Sequence, residues 1–250
     1  MRPIPFAEYR DRFAGQTAVV VGKGPTLYDF AALGETGAPT FFVNDAVALE
    51  RHLAQSQPSF MFAHDRGQTA WFARGIRTIP VLPRDGKIVE GESDPLLAPL
   101  DKAIFYTWRT RDQSLVLAQT KAELAQSGEL YTDCGTIHAA LHFVWYCGFS
   151  AVRFVGCDGV TKDPRTAELG DERTGYDKRI DNASNSAPWG QFIRIRREQD
   201  RLCKVFGLDV EYWGAPVERG AIEKTSEAVR AVFKDLKRRT KSAGRRGGPA

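Results

Sequence analysis

Thr17-Ala-Val-Val-Val-Gly22-Lys23-Gly24-Pro25-Thr26-Leu27 decides the fold. Four small or β-branched apolar residues after a threonine form the pattern of a buried strand, and the glycines end it in a tight turn. Pro25 fits a first helical turn, where a backbone N–H has no intrahelical partner to lose. A strand running through glycine into a helix is the opening of a parallel α/β unit. Amides exposed at that helix start, with the helix dipole behind them, favour an anion, and Lys23 adds a positive charge. The stretch is neither a full GxGxxG nor a Walker A motif, which needs Gly-Lys-Ser/Thr in that order. A tight turn without a ligand is the competing reading.

The same rhythm recurs outward from this point. Thr40-Phe-Phe-Val-Asn44, Phe60-Met-Phe-Ala63 and Thr78-Ile-Pro-Val-Leu82 read as further strands. Thr136 to Tyr146 reads as a buried helix closed by Cys147-Gly148, and Ala151-Val-Arg-Phe-Val-Gly156 as the next strand. Gln191 to Phe206 reads as an amphipathic helix ending at Gly207, followed by a strand over Leu208–Tyr212. Strands alternating with helices predict a Rossmann-like, mostly parallel sheet with helices on both faces. Residues 83–111, rich in Pro, Gly and charge, read as an insertion or long loop. Residues 159–189 have few apolar anchors and leave a strand end, which predicts a long lid loop over the site.

Residues 1–220 are expected to form a single nucleotide-binding α/β domain, with a C-terminal helix and basic disordered tail in 221–250. The net charge of +4 hides this division. Residues 221–250 hold nine Lys/Arg against three Asp/Glu, a balance of +6 that leaves −2 for the remainder. The body therefore carries no general nucleic-acid signature. The tail reads as a solubilising end or, more sharply, as a peripheral contact with anionic lipid or polysaccharide. No run of 18 apolar residues predicts a membrane span, and the N-terminus lacks a signal peptide's apolar core. The four cysteines (134, 147, 157, 203) lack CxxC spacing and read as reduced thiols of a cytoplasmic protein.

Several chemistry-bearing residues fall at predicted strand ends: Asn44-Asp45, His64-Asp65 and Asp158. In a parallel sheet they converge on the edge that carries the glycine turn. Each alone is more often a cap or turn former. Cys134-Gly135-Thr136 would bring a second helix start to the same edge, with capping as an equally natural reading. His138 and His142 have the i, i+4 spacing of a zinc pair, but Ala139 stands where a zincin needs Glu, so core histidines are the stronger reading.

Gly22-Lys-Gly-Pro-Thr-Leu27, Asn44, and Cys134-Gly135 leading through Ala139-Ala140 to Gly148-Phe149 and Gly156-Cys-Asp158 together resemble the Rossmann-like bacterial sialyltransferase family. They also resemble its relatives, the motility-associated glycosyltransferases and the 6-hydroxymethylpterin diphosphokinase-like proteins. The resemblance covers 17–64 and 133–158 in order. It implies that Gly22, Gly24, Pro25 and Thr26 hold nucleotide phosphate or ribose, with Lys23 beside them. Asn44, His64 and Gly135 would line the pocket of a CMP-sugar, with Asp45 and Thr136 adjoining. Lys23 stands where the family has Asn or a small residue, and Cys134 where it has Ser. The family's base histidine lies beyond Gly-x-Asp, and no histidine follows His142 here. His64, Asp158, Tyr176 and Asp181 are then the candidates for proton transfer.

The resulting expectation is a nucleotide-sugar-dependent glycosyltransferase without a resident cofactor, acting on a cell-surface glycan or its lipid-linked precursor. Two alternatives stay open. In a diphosphokinase-like enzyme, Asp45, Asp65 and Asp158 would gather Mg²⁺. The other is a non-catalytic nucleotide-binding protein.

Overall fold

The structure, a computed structural model, describes residues 2–22, 36–63, 71, 75–84, 102–109, 117–133, 135–157 and 187–213. Among the described residues nine strands form one sheet: β1 (Arg2–Ile4), β2 (Thr17–Val21), β3 (Thr40–Val43), β4 (Ser59–Phe62), β5 (Ile79–Pro83), β6 (Lys102–Arg109), β7 (Glu129–Tyr131), β8 (Ala151–Val155) and β9 (Asp209–Tyr212). Their spatial order is β1-β6-β5-β4-β3-β2-β8-β9, with β7 also paired to β6. Every pairing is parallel. The fold is therefore a Rossmann-like α/β sheet.

Side-chain alternation along the strands sorts the core into two layers. Val20, Phe41, Phe60, Phe62, Val152 and Phe154 face one side with the helices α2 (Thr136–Tyr146) and α3 (Ala187–Val205). Val19, Val21, Phe42, Met61 and Val155 face the other, covered by Ala46, Val47 and Leu49 of the 3-10 helix η2 (Asn44–His52). Phe41 and Phe60 stack with ring centroids 4.9 Å apart, and Phe143 of α2 meets Phe60 edge-on at 6.0 Å. A short 3-10 helix η1 (Phe6–Tyr9) seals this layer through Phe6 and Tyr9.

Within the segment 83–111, residues 102–109 correct its reading as an insertion or long loop, while 85–101, 110 and 111 lie outside the described residues. Residues 102–109 form the longest strand, and Ala103, Ile104, Phe105 and Tyr106 are buried. A β-branched and aromatic run overrode the Pro- and Gly-rich composition just before it. Helix α3 starts at Ala187, four residues before the predicted Gln191. Pro188 suits that first turn for the reason given for Pro25. The sequence reading also passed over α1 (Lys121–Ser127), which opens on a reciprocal cap between Thr120 and Glu123 and ends on left-handed Gly128.

The topology places a crevice. From β2 the chain winds through β3, β4, β5 and β6 in one direction, and β8 and β9 lie on the opposite side of β2. The reversal falls between the carboxyl ends of β2 and β8, where open parallel sheets bind ligands.

Candidate functional site

At the switch point the backbones of β2 and β8 nearly touch. Val21 is in register with Val155, and Gly22 N–H donates to the Val155 carbonyl at 2.8 Å. A Cβ placed on Gly22 would lie 2.4 Å from the Gly156 carbonyl oxygen and 3.0 Å from Cys157 Sγ. Gly156 itself has φ +63°, the left-handed region in which glycine is strain-free. The glycine at 22 is thus required by main chain of the neighbouring strand. This gives the residue a packing reason beside the phosphate contact that the resemblance implies.

Asn44 sits across β2 from this contact, one residue past β3, whose Phe42 is in register with Val21. Its φ is +57°. Asparagine is one of the few non-glycine residues that visits this region, and such strain concentrates at functional positions. Its side-chain Oδ1 is buried without a hydrogen-bond partner among the described residues, so the amide does not serve as a cap for η2. The backbone of Asp45 continues into η2.

Gly135 is the residue before α2, in extended conformation, and as a glycine it gives the helix no side-chain cap of its own. A Cβ there would meet Ile195 Cδ1 of α3 at 3.1 Å. The small residue therefore lets the start of α2 close on α3. Thr136 opens the helix and is partly exposed. Lys23, Gly24, Pro25, Thr26, His64, Asp65, Asp158, Tyr176 and Asp181 lie outside the described residues, as do the 159–186 part of the expected lid and the tail 221–250.

The two histidines of α2 are core residues with separate partners. His142 is fully buried, accepts the Tyr131 N–H on Nδ1 at 3.0 Å, and stacks on Trp145 and Phe206. Burial pushes its pKa down to about 3. His138 places Nε2 3.2 Å from the Ile195 carbonyl, and burial lowers its pKa as well. Among the described residues no group of three or more His, Cys, Asp or Glu is gathered to hold a metal ion. Cys147, Cys157 and Cys203 are buried free thiols.

Sequence reasoning missed a row of charged residues on α3. Arg194 grips Asp133, two residues past β7, through Nε at 3.1 Å and Nη2 at 2.5 Å. Arg196 Nη1 donates to the carbonyl of Cys157, two residues past β8, at 3.3 Å. Glu198 accepts from Tyr131 Oη at 2.7 Å and from Arg201. Burial raises the Glu198 carboxyl, but the hydrogen bonds from Arg201 and Tyr131 outweigh it and hold the group below its ordinary range. Burial and then Glu198 raise the Tyr131 phenol. The signal was the Arg194-Ile-Arg-Arg-Glu198 run, in which arginines stand around the helix middle, away from the C-terminal end that the macrodipole favours.

The contacts of residues 194–196 place that turn of α3 level with the carboxyl edge. Seven helical residues precede that turn, about 10 Å of helix at 1.5 Å per residue. The switch point thus has Gly22 against Gly156 at the ends of β2 and β8, Asn44 across β2, and α3 reaching the Cys157 carbonyl through Arg196 while Ile195 packs at the start of α2. The chain matches no protein-family model, no curated protein and no solved structure among those compared. No helix among the described residues is long and apolar enough to cross a membrane.

Proposed function

We propose that the protein is a nucleotide-sugar-dependent glycosyltransferase whose donor binds in the crevice between β2 and β8. The observation that carries this reading is Asn44, held at φ +57° beside the switch point with a buried Oδ1 that has no partner among the described residues. A structural turn would use that oxygen on its own backbone. A pocket residue keeps it for a ligand N–H or hydroxyl, and a nucleotide's base or ribose offers both. The motif order adds the nucleotide class, and the similarity to sialyltransferases points to a CMP-sugar. The start of α2 supplies amides for a leaving phosphate, whose charge grows in the transition state. His64, Asp158, Tyr176 or Asp181 would take the acceptor's proton. The acceptor in this reading is a cell-surface glycan or its lipid-linked precursor, reached from the cytoplasmic side with the basic tail against the membrane.

Titration calorimetry against CMP, UDP, GDP and ATP, with and without Mg²⁺, tests the assignment. Magnesium-independent binding of CMP or a nucleoside diphosphate is expected, with hydrolysis of the matching sugar donor. Binding of ATP alone, and only with Mg²⁺, would replace it with the diphosphokinase reading. Nucleotide binding without turnover of any donor would leave a binding protein.

A further inference from the structure

We propose that Arg196 is the cation that binds the ligand's phosphate in this crevice, and that Tyr212 and Asp200 are its positioning residues. The inference rests on the nucleotide reading for the ligand's class, but its geometry is independent of that reading.

Three arginines of α3 have hydrogen-bond partners in the structure, and two of them are engaged by carboxylates through two nitrogens. Arg194 forks onto Asp133, and Arg201 binds Glu198 through Nε at 2.9 Å and Nη2 at 2.5 Å. Arg196 differs. Only its Nε reaches a carboxylate, at 3.2 and 3.4 Å from the two oxygens of Asp200. Its Nη1 donates one hydrogen to the Cys157 carbonyl, and Nη2 makes no hydrogen bond among the described residues. A guanidinium has five N–H donors in a rigid fork. The edge formed by Nη1 and Nη2 therefore retains donors with the spacing that two oxygens of a phosphate match.

That edge is also held in place. The guanidinium carbon lies 3.7 Å from the centroid of the Tyr212 ring, which fixes the plane by cation–π stacking. Tyr212 Oη donates to Asp200 Oδ1 at 2.5 Å and accepts from Gln199 Nε2 at 3.1 Å, so the ring itself is tethered. Burial and then Asp200 raise the Tyr212 phenol, which keeps it a donor. Phe154 stacks against the Tyr212 ring at 5.1 Å. With a side chain 16% exposed, Arg196 pays little of the ordering cost a free surface arginine would.

The location matches the role. Cys157, whose carbonyl receives Arg196, is the residue whose sulfur lies 3.0 Å from a Cβ placed on Gly22. The arginine thus reaches the same strand ends that meet at the switch point. A surface staple would need no unfilled fork there, since a bidentate partner such as Arg194 has would serve better.

Binding of CMP, UDP, cytidine and inorganic pyrophosphate to the full-length protein and to R196M, R196K and Y212F tests the proposal. R196M should weaken CMP or UDP and pyrophosphate at least tenfold, leave cytidine unchanged, and flatten the salt dependence. R196K should recover part of the loss, because charge returns without the fork. Y212F should lose about threefold for the same ligands. For the unaltered protein, pyrophosphate should protect Arg196 from phenylglyoxal, a readout that needs no folded variant. Unchanged affinities in folded R196M or R196K, or unprotected Arg196, overturn the proposal. Arg196-dependent binding of pyrophosphate without nucleotide binding would support it while removing the nucleotide reading. Binding of neither overturns both.

Discussion

The two ends of the parallel sheet are bonded differently. At the amino end, polar side chains bond to one another and to main chain. Glu50, 8% exposed, accepts from Arg77 N–H at 3.1 Å and from the Thr78 hydroxyl, which also lies 2.9 Å from Ser59 Oγ. Arg77 donates onward to the carbonyls of Leu53 and Ala54, closing the end of η2, and Gln57 Nε2 donates to the Ala38 carbonyl and to Thr40. At the carboxyl end, Asn44 is strained and keeps an oxygen unpaired among the described residues, and Arg196 keeps part of its fork open. A densely bonded network holds a structure in place, whereas an unsatisfied group beside a strand-end crevice is one that a ligand can complete. Such atoms are not confined to that edge, since Tyr146 Oη is buried without a partner among the described residues near the amino end. The division predicts that substitutions at the amino end change stability alone, and that substitutions at the carboxyl end change binding.

Gly22 is where that division should break most sharply. It belongs to the carboxyl end, yet the 2.4 Å approach of a Cβ to the Gly156 carbonyl involves main chain that cannot swing aside. Gly22→Ala should cost about 3 kcal/mol of stability in urea unfolding, because β2 and β8 must separate. A variant as stable as the parent, with weakened nucleotide binding, would instead assign the glycine to the ligand.

Glu50→Ala tests the other end. It strips the acceptor from Arg77 and Thr78 and should destabilise by about 2 kcal/mol. The dissociation constant for nucleotide should stay within twofold, measured at a temperature where the variant is folded. A tenfold change in affinity would mean that the two ends are coupled.

Helix α2 joins both ends, and its histidines give the protein a pH dependence. The folded pKa of His142, about 3, lies below its ordinary value of 6.5. Below pH 6.5 the unfolded chain takes up a proton that the folded chain refuses, so stability is full above that pH and falls as the pH drops. The slope from His142 should reach about 1.4 kcal/mol per pH unit on approaching pH 5. His138 and His52 move in the same direction. Urea midpoints from pH 7.5 to 5 check the slope, and the His142 ring resonances should stay unshifted across that range. A flat midpoint would mean that His142 protonates in the folded state.

Much of the frame could be read from residues alone, because β2, β3 and β4 are continuous apolar runs after their first residue and β8 is broken only by Arg153, as suits a parallel sheet that buries both faces of its strands. The edges were harder. Strand β1 has three residues, too few to carry a pattern, and β6 was hidden behind a Pro- and Gly-rich stretch. Within the site, Gly22, Asn44 and Gly135 were legible as residues that interrupt a run at its end. Arg196 was not, since its importance comes from Tyr212 and Cys157, far apart in sequence and joined only by the fold. The packing reason for Gly22 was equally hidden, because it depends on the register between β2 and β8.

Asn44→Gly should have the smallest effect on stability and the clearest meaning. Glycine adopts φ +57° without strain, so relief of the backbone and the added freedom of the unfolded chain nearly cancel, leaving a change within about 1 kcal/mol. The side chain contributes no cap to η2, and its Oδ1 bonds to nothing among the described residues. A role confined to the turn therefore predicts full function for the glycine variant. A role in the pocket predicts about tenfold weaker nucleotide binding from loss of one buried acceptor. Asn44→Asp separates the two further, since it keeps an oxygen and adds a charge beside the expected phosphate. It should bind more weakly than the glycine variant at low salt and recover as salt screens the repulsion. Parent-like binding by both variants would make Asn44 a turn residue and remove the observation on which the glycosyltransferase reading stands.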